Sequence, residues 1–85
     1  MNVIREERFQ LRVDEFRNRI HRFEEHLKSI EWNLAKDPKR GEFIDPDKKL
    51  WVRSFFDPLN RQDVKVYYSF DDQSVHLWEL RIIPQ

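Results

Sequence analysis

The chain has 85 residues, with 16 Lys plus Arg and 16 Asp plus Glu, so its formal net charge is zero and any nucleic-acid surface must come from a local cluster of cations. This length is too short for two ordinary domains, so residues 1–85 are expected to form a single one. The absence of cysteine excludes a disulfide scaffold and thiolate chemistry. No apolar run forms a signal-peptide core or approaches the roughly 20 residues that span a bilayer. We therefore expect a cytoplasmic protein without membrane contact.

A short strand at residues 2–5 and a long amphipathic helical region are the first predicted elements. Apolar residues recur at alternating spacings of four and three, which places them on one helical stripe. They are Phe9, Val13, Phe16, Ile20, Phe23, Leu27, Ile30 and Leu34. The helix is predicted to end at Asp37-Pro38, because the residue before a proline is pushed out of the α region, and Gly41 then permits a turn.

The helical region admits three interpretations. A continuous helix over residues 6–36 would be about 46 Å long, too long for one small sheet to cover, which favours a homo-oligomer or a complex with a partner. A break near Asn18 would instead give a helical hairpin, although no Gly or Pro marks it. In the third interpretation, residues 9–13 form the first strand and the helix begins at Asp14, a good N-cap residue. The unbroken stripe favours the first two.

Three strands rich in β-branched and aromatic residues are predicted after a loop at residues 37–49. They cover residues 50–56, 63–70 and 74–83. Alternate residues from Val64 to Phe70 are apolar, which indicates a strand with one buried face. The polar connection at residues 71–73 predicts an antiparallel hairpin. The predicted fold class is α+β: a short N-terminal strand, a long helix or helical hairpin, and a three-stranded antiparallel meander.

Metal and cofactor sites find little support in the sequence. His21 and His26 are five residues apart, so on a helix they point about 140° away from each other and do not form a ligand pair. Gly41 is the only glycine, which excludes glycine-rich phosphate loops, and no serine lies in a nucleophile-elbow context. We therefore expect neither a metal nor a cofactor.

Basic residues occur on all three predicted strands: Arg53, Lys65 and Arg81. If the strand registers agree, they can converge on one surface that binds phosphates and stabilises the charge that develops during phosphodiester cleavage. Tyr67 lies beside Lys65 and can stack on a base. The alternative is that all four are ordinary outward residues of a half-solvated sheet.

Two segments of the chain resemble the RelE/ParE toxin superfamily. The helix ends in LAKDPKRG (residues 34–41), similar to the turn with proline and glycine that closes the family's helical region. The later VKVYYSFDD (residues 64–72), followed by SVHLWEL (residues 74–80), is similar to the family's third strand, acidic turn and apolar last strand. The resemblance covers roughly residues 2–83 and implies the RelE/ParE fold.

The resemblance also implies a function. RelE/ParE proteins are toxins of type II toxin–antitoxin pairs that cleave mRNA on the ribosome or inhibit DNA gyrase, and a segment of the antitoxin protein wraps around them. Arg53 matches a basic residue of the second strand and Lys65 the basic residue that opens the third-strand motif. Both are catalytic in the mRNA-cleaving branch. With Tyr67 and Arg81, which come from the strand pattern and not from the resemblance, the predicted nucleic-acid-binding set is Arg53, Lys65, Tyr67 and Arg81.

The sequence departs from the cleaving branch in two respects. It ends at Pro84-Gln85, where that branch continues with a further arginine and a tyrosine or histidine, and its isoelectric point is near 6.8, whereas ribosome-dependent toxins are strongly basic. Both departures argue against nuclease activity. Two other functions therefore stay open: a non-catalytic protein-interaction module of the same fold, and an oligomer formed through the helical stripe with the sheet as its functional surface.

Overall fold

The computed structural model describes all of residues 1–85, as two α-helices and five β-strands. The strands are β1 (Asn2–Arg5), β2 (Glu42–Asp45), β3 (Leu50–Asp57), β4 (Gln62–Phe70) and β5 (Ser74–Pro84). The helices are α1 (Glu7–Phe16) and α2 (Phe23–Lys36), and a 3₁₀ turn covers Pro38–Arg40. The α+β class is therefore confirmed. Neither helix has the length and apolar character that crossing a membrane requires.

All five strands join one mixed sheet in the order β1-β5-β4-β3-β2. β1 lies parallel to β5, and the other neighbouring pairs are antiparallel. The predicted strand at residues 2–5 is confirmed. The three strands predicted after the loop correspond to β3, β4 and β5, which pair antiparallel in chain order, but the sheet has five strands and not three, because β1 joins the edge of β5 and β2 joins the edge of β3.

The short strand β2 lies in the segment that was predicted to be a loop. It pairs with β3 because aromatic side chains meet across the two strands: the ring centroids of Phe43 and Trp51 are 4.9 Å apart. The chain then reverses at Asp45, whose carboxylate oxygen Oδ1 accepts the backbone N–H groups of Asp47 and Lys48 at 3.0 and 3.2 Å. Local turn chemistry and one aromatic pair thus add a fifth strand.

The helical region is a hairpin, and the interpretation with a break near Asn18 is the correct one. α1 ends at Phe16 and α2 begins at Phe23, so both the continuous helix and the strand at residues 9–13 are wrong. Arg22 adopts the left-handed conformation, with φ of 53°, immediately before α2. Because that conformation is unfavourable for an ordinary residue, contacts elsewhere must hold the turn in place.

Those contacts come from the end of β3 and the start of β4. The fully buried Asp57 carboxylate accepts the backbone N–H of His21 at 3.0 Å, and the amides of Asn60 and Gln62 donate to the same oxygen at 2.8 and 3.1 Å. Gln62 also donates to the Arg19 carbonyl oxygen at 2.8 Å. Burial raises the pKa of Asp57, but these donors outweigh it and lower the pKa to about 2. A buried carboxylate therefore fastens the helical turn to the sheet.

The apolar stripe is covered within the chain. Seven of its eight residues are buried, and Phe16 packs partly buried against the same core. The sheet contributes the alternate residues of β4 that were predicted to face the core, together with three residues of β5. The buried sheet residues of the core are Val64, Val66, Tyr68, Val75, Leu77 and Leu80. Folding back as a hairpin removes the length problem, so the stripe no longer argues for a second copy.

Gly41 is required by a close approach to β4. The Tyr68 hydroxyl accepts the Gly41 N–H at 3.0 Å and donates to the Pro38 carbonyl at 2.6 Å. A Cβ atom on Gly41 would lie 2.2 Å from that hydroxyl oxygen and 2.6 Å from the Val52 carbonyl oxygen. The residue is therefore a glycine for lack of space, and it ties the end of α2 to the central strand.

Candidate nucleic-acid interface

The two faces of the sheet differ in their cover. The face that packs on the helices, here called the covered face, includes Val64, Val66 and Tyr68 of β4. The opposite face, here called the open face, includes the intervening residues Lys65 and Tyr67, which are only half-buried. Because directly opposed residues of antiparallel strands point to the same side, the register assigns every predicted site residue to one of these faces.

Three of the four predicted residues meet on the open face. Lys65 of β4 lies directly opposite Arg81 of β5, and Tyr67 lies directly opposite Glu79. The guanidinium carbon of Arg81 is 5.4 Å from the centroid of the Tyr67 ring. Two cations and one aromatic ring therefore form a contiguous group.

Arg53 does not belong to this group. Its partner on β4 is Val66, a fully buried core residue, so Arg53 lies on the covered face. There its guanidinium donates to the Arg40 carbonyl oxygen at 3.4 Å, beside the 3₁₀ turn. The predicted pair of Arg53 and Lys65 is thus split between opposite sides of the sheet.

The opposition of Lys65 and Arg81 is electrostatically unfavourable. Like charges directly across an antiparallel pair destabilise a sheet, and neither cation forms an ion pair within 4.0 Å. The neutral cross-strand neighbour of Lys65 on its other side is Ser54, which offers no charge. An anion bound between the two side chains would relieve the repulsion.

A cleft of about 480 Å³ adjoins this pair on the open face. Its walls combine cations, aromatic rings, one aliphatic residue and one acid. The lining residues are Arg8, Lys48, Leu50, Tyr67, Trp78, Glu79 and Arg81. Because Arg81 belongs both to the cleft and to the cation pair, the two features form one continuous surface.

A β-bulge shapes the wall of the cleft. Tyr68 pairs with Leu77 and Tyr67 pairs with Glu79, so Trp78 is an extra residue with no partner on β4. The bulge shifts the alternation by one position, which returns Leu80 to the core and leaves Trp78 43% exposed. The Trp78 indole N–H donates to the Ser69 hydroxyl at 2.8 Å, which fixes the ring.

Glu79 is the only acid in the cleft, and cations from α1 neutralise it. Arg8 lies 2.6 Å from one of its oxygens and Arg12 lies 3.2 Å from the other. Burial raises the pKa of Glu79, but the Leu80 N–H and the two arginines outweigh it and hold the pKa below its usual value. The cleft therefore keeps a positive balance although the chain as a whole is neutral.

The three histidines lie in separate places in the structure and do not form a common site. The His26 ring stacks on Phe55 with centroids 4.5 Å apart, and the His21 backbone N–H serves the helical turn. His76 lies between two carboxylates, 3.6 Å from Glu6 and 3.9 Å from Asp71. No group of three or more His, Cys, Asp or Glu side chains is placed to hold a metal ion.

The sequence pattern missed several residues of this surface, although one signal was available. Arg8 and Lys48 lie outside the predicted strands, and only the folded chain brings them to the cleft. The outward position of Trp78 could have been predicted from the sequence. Val75, Leu77 and Leu80 break the strict alternation of a strand, and such a slip is the signature of a bulge.

Searches of protein-family models, of curated proteins and of solved structures find no match to this chain. The fold and the site therefore define the class by themselves: a small α+β protein with helices on one face of a mixed sheet and a basic, aromatic surface on the other.

Proposed function

We propose that this chain is a RelE/ParE-like protein of a type II toxin–antitoxin system, and that it acts by binding mRNA on its open face. One observation carries the proposal: Lys65 and Arg81 lie directly opposite each other and neither has an acidic partner. A phosphodiester supplies the negative charge that this pair lacks. Tyr67 and Trp78 beside the pair supply rings on which bases can stack.

The proposal favours binding of mRNA over its cleavage. Arg53 and Lys65 lie on opposite faces of the sheet, so they do not contact the same phosphate. Glu79 is the one acid that lines the cleft beside the cation pair, and its arginine partners keep it ionised and occupied, which makes it a weak proton acceptor. We therefore assign Lys65 and Arg81 to phosphate binding and give Arg53 no part in it.

The partner that fits this proposal is an antitoxin protein with an acidic segment. Such a segment would lie across the cations of the open face and compete with RNA for them. A short adjacent gene that encodes a DNA-binding protein would identify the antitoxin. DNA gyrase is the other target known in the family. Inhibition of DNA supercoiling by the purified chain would replace mRNA with DNA gyrase as the proposed target.

Induced expression in bacteria tests the proposal. We expect the wild-type chain to slow growth, the double variant Lys65→Ala with Arg81→Ala to restore it, and Arg53→Ala to slow growth as the wild type does. Thermal melting of each purified variant controls for loss of fold. Mapping of mRNA 5′ ends should show no new cleavage sites.

Three outcomes would contradict the proposal. Normal growth with the wild-type chain would remove the toxin assignment. Restoration of growth by Arg53→Ala alone would move the site to the covered face. New mRNA ends that depend on Lys65 would show that the chain is a nuclease after all.

A further inference from the structure

The cleft on the open face has the size and the walls of a site for a small aromatic ligand. Its volume of about 480 Å³ lies within the roughly 300–1,000 Å³ typical of ligand sites in proteins. Leu50, Tyr67 and Trp78 give it an apolar surface, and three cations surround that surface. A ligand that combines a flat ring with a negative charge matches this lining.

The rings of the cleft are held in place before any ligand binds. Trp78 is fixed by its hydrogen bond to Ser69, and its ring stacks on His76 with centroids 5.9 Å apart. The Arg81 guanidinium rests over the Tyr67 ring. Unstacked bases of RNA stack on aromatic rings and on guanidinium planes, and a pre-ordered platform loses little conformational entropy on binding.

The position of Arg81 connects this platform to the phosphate site. Arg81 lines the cleft and also lies directly opposite Lys65, so a phosphate between those two cations would be adjacent to a ring in the cleft. Lys48 and Arg8 are further cations at the same cleft. A nucleotide has this arrangement, with its base and its phosphate joined through one sugar.

We infer that the cleft accepts one unstacked nucleobase of an RNA strand, with Trp78 as the stacking surface and the adjacent phosphate on Lys65 and Arg81. This inference rests on the proposed function, since it names the part of the RNA that the open face holds. It further implies that the chain distinguishes a strand with bases from a bare sugar–phosphate backbone.

Fluorescence anisotropy with two labelled hexanucleotides tests the inference. One is ordinary single-stranded RNA and the other is the same backbone without bases. We expect the wild-type chain to bind the ordinary strand about tenfold more tightly than the abasic strand, which is the effect of one stacked base. Trp78→Leu should abolish the difference and Trp78→Phe should retain part of it. Trp32→Leu is the matched control on the exposed side of α2 and should preserve the full ratio.

A second measurement separates failure of this inference from failure of the proposed function. If the wild-type chain binds both strands equally, RNA binding stands and the base site is wrong. If it binds neither, the proposed function is wrong, and the inference that rests on it is overturned as well. Where the ordinary strand binds, adenosine monophosphate tests the cleft by itself: a shift of the Trp78 indole N–H resonance with this nucleotide, absent with ribose 5-phosphate, supports the inference, whereas no shift overturns it.

Discussion

The two faces of the sheet use the same strand for opposite purposes. On β4, Val64, Val66 and Tyr68 are fully buried against the helices, and the polar groups at the margin of that face are hydrogen-bonded. Lys65 alternates with them on the open face and faces another cation without a partner. The covered face thus satisfies its groups within the chain, while the open face leaves charge available. Stability and binding are expected to respond separately to changes on the two faces.

The largest contrast should come from two adjacent residues of β4. Val66→Asp places a carboxylate in a fully buried position without hydrogen-bond donors, and we expect a loss of about 4 kcal/mol or more in the free energy of unfolding. Lys65→Ala, one residue away, should change that free energy by no more than about 0.5 kcal/mol. Urea unfolding followed by circular dichroism measures both. Equal destabilisation by the two changes would contradict the division between the faces.

Asp57→Ala should produce the next largest effect. The change removes the acceptor of five hydrogen bonds, one from His21 in the helical turn and four from Leu59, Asn60 and Gln62 at the β3–β4 turn, and leaves buried donors without a partner. We expect a loss on the order of 3 kcal/mol. The control is Asp72→Ala, since Asp72 is exposed in the β4–β5 turn. A loss no greater than in the control would show that the carboxylate does not fasten the turn.

The lowered pKa of the Asp57 carboxylate leads us to expect a loss of stability in acid. The pKa of Asp57 is lowered from 3.8 to about 2 in the folded chain. Its contribution to the free energy of unfolding is therefore complete above about pH 4 and disappears as the pH falls towards 2. Asp57→Asn carries no such titration. We expect the gap in urea midpoint between wild type and Asp57→Asn to narrow from pH 5 to pH 2. A gap of constant width would refute the assignment.

The smallest expected effect has the opposite sign. Lys65→Glu replaces a like-charge opposition with an ion pair to Arg81, and it should raise the free energy of unfolding by about 0.5 kcal/mol. The same change should weaken RNA binding, because it introduces negative charge at the phosphate site. Thermal melting at low salt is the measurement. A lower melting temperature would mean that the opposition of Lys65 and Arg81 costs nothing.

The helical stripe was predictable, but the break within it was not. The spacing from Phe16 to Ile20 and then to Phe23 is four and three, so the helical period continues through residues that are not helical. No Gly or Pro marks the turn. The groups that hold it, Asp57 and Gln62, are far away in the sequence, and no local pattern connects them with the turn.

The face of the sheet on which Arg53 lies was equally unpredictable from the sequence. Both alternating sets of β3 contain large apolar residues, Trp51 and Phe55 on one side and Val52 and Phe56 on the other. The alternation along β3 therefore does not show which of its two faces is buried against the core. The register with β4 decides, because Arg53 lies opposite the buried Val66. Lys65 and Tyr67 were assigned to the outward set correctly, since β4 has only one apolar face.

The measurement that tests the central claim most directly is the salt dependence of RNA binding. Affinity for single-stranded RNA falls with salt in proportion to the phosphates that the protein neutralises, with about 0.7 units of logarithmic slope for each contact. We predict that Lys65→Ala with Arg81→Ala lowers both the affinity and the slope, the slope by about 1.4 units, and that Arg53→Ala leaves the slope unchanged. An unchanged slope in the double variant, or a slope lost in Arg53→Ala, would contradict an RNA-binding open face.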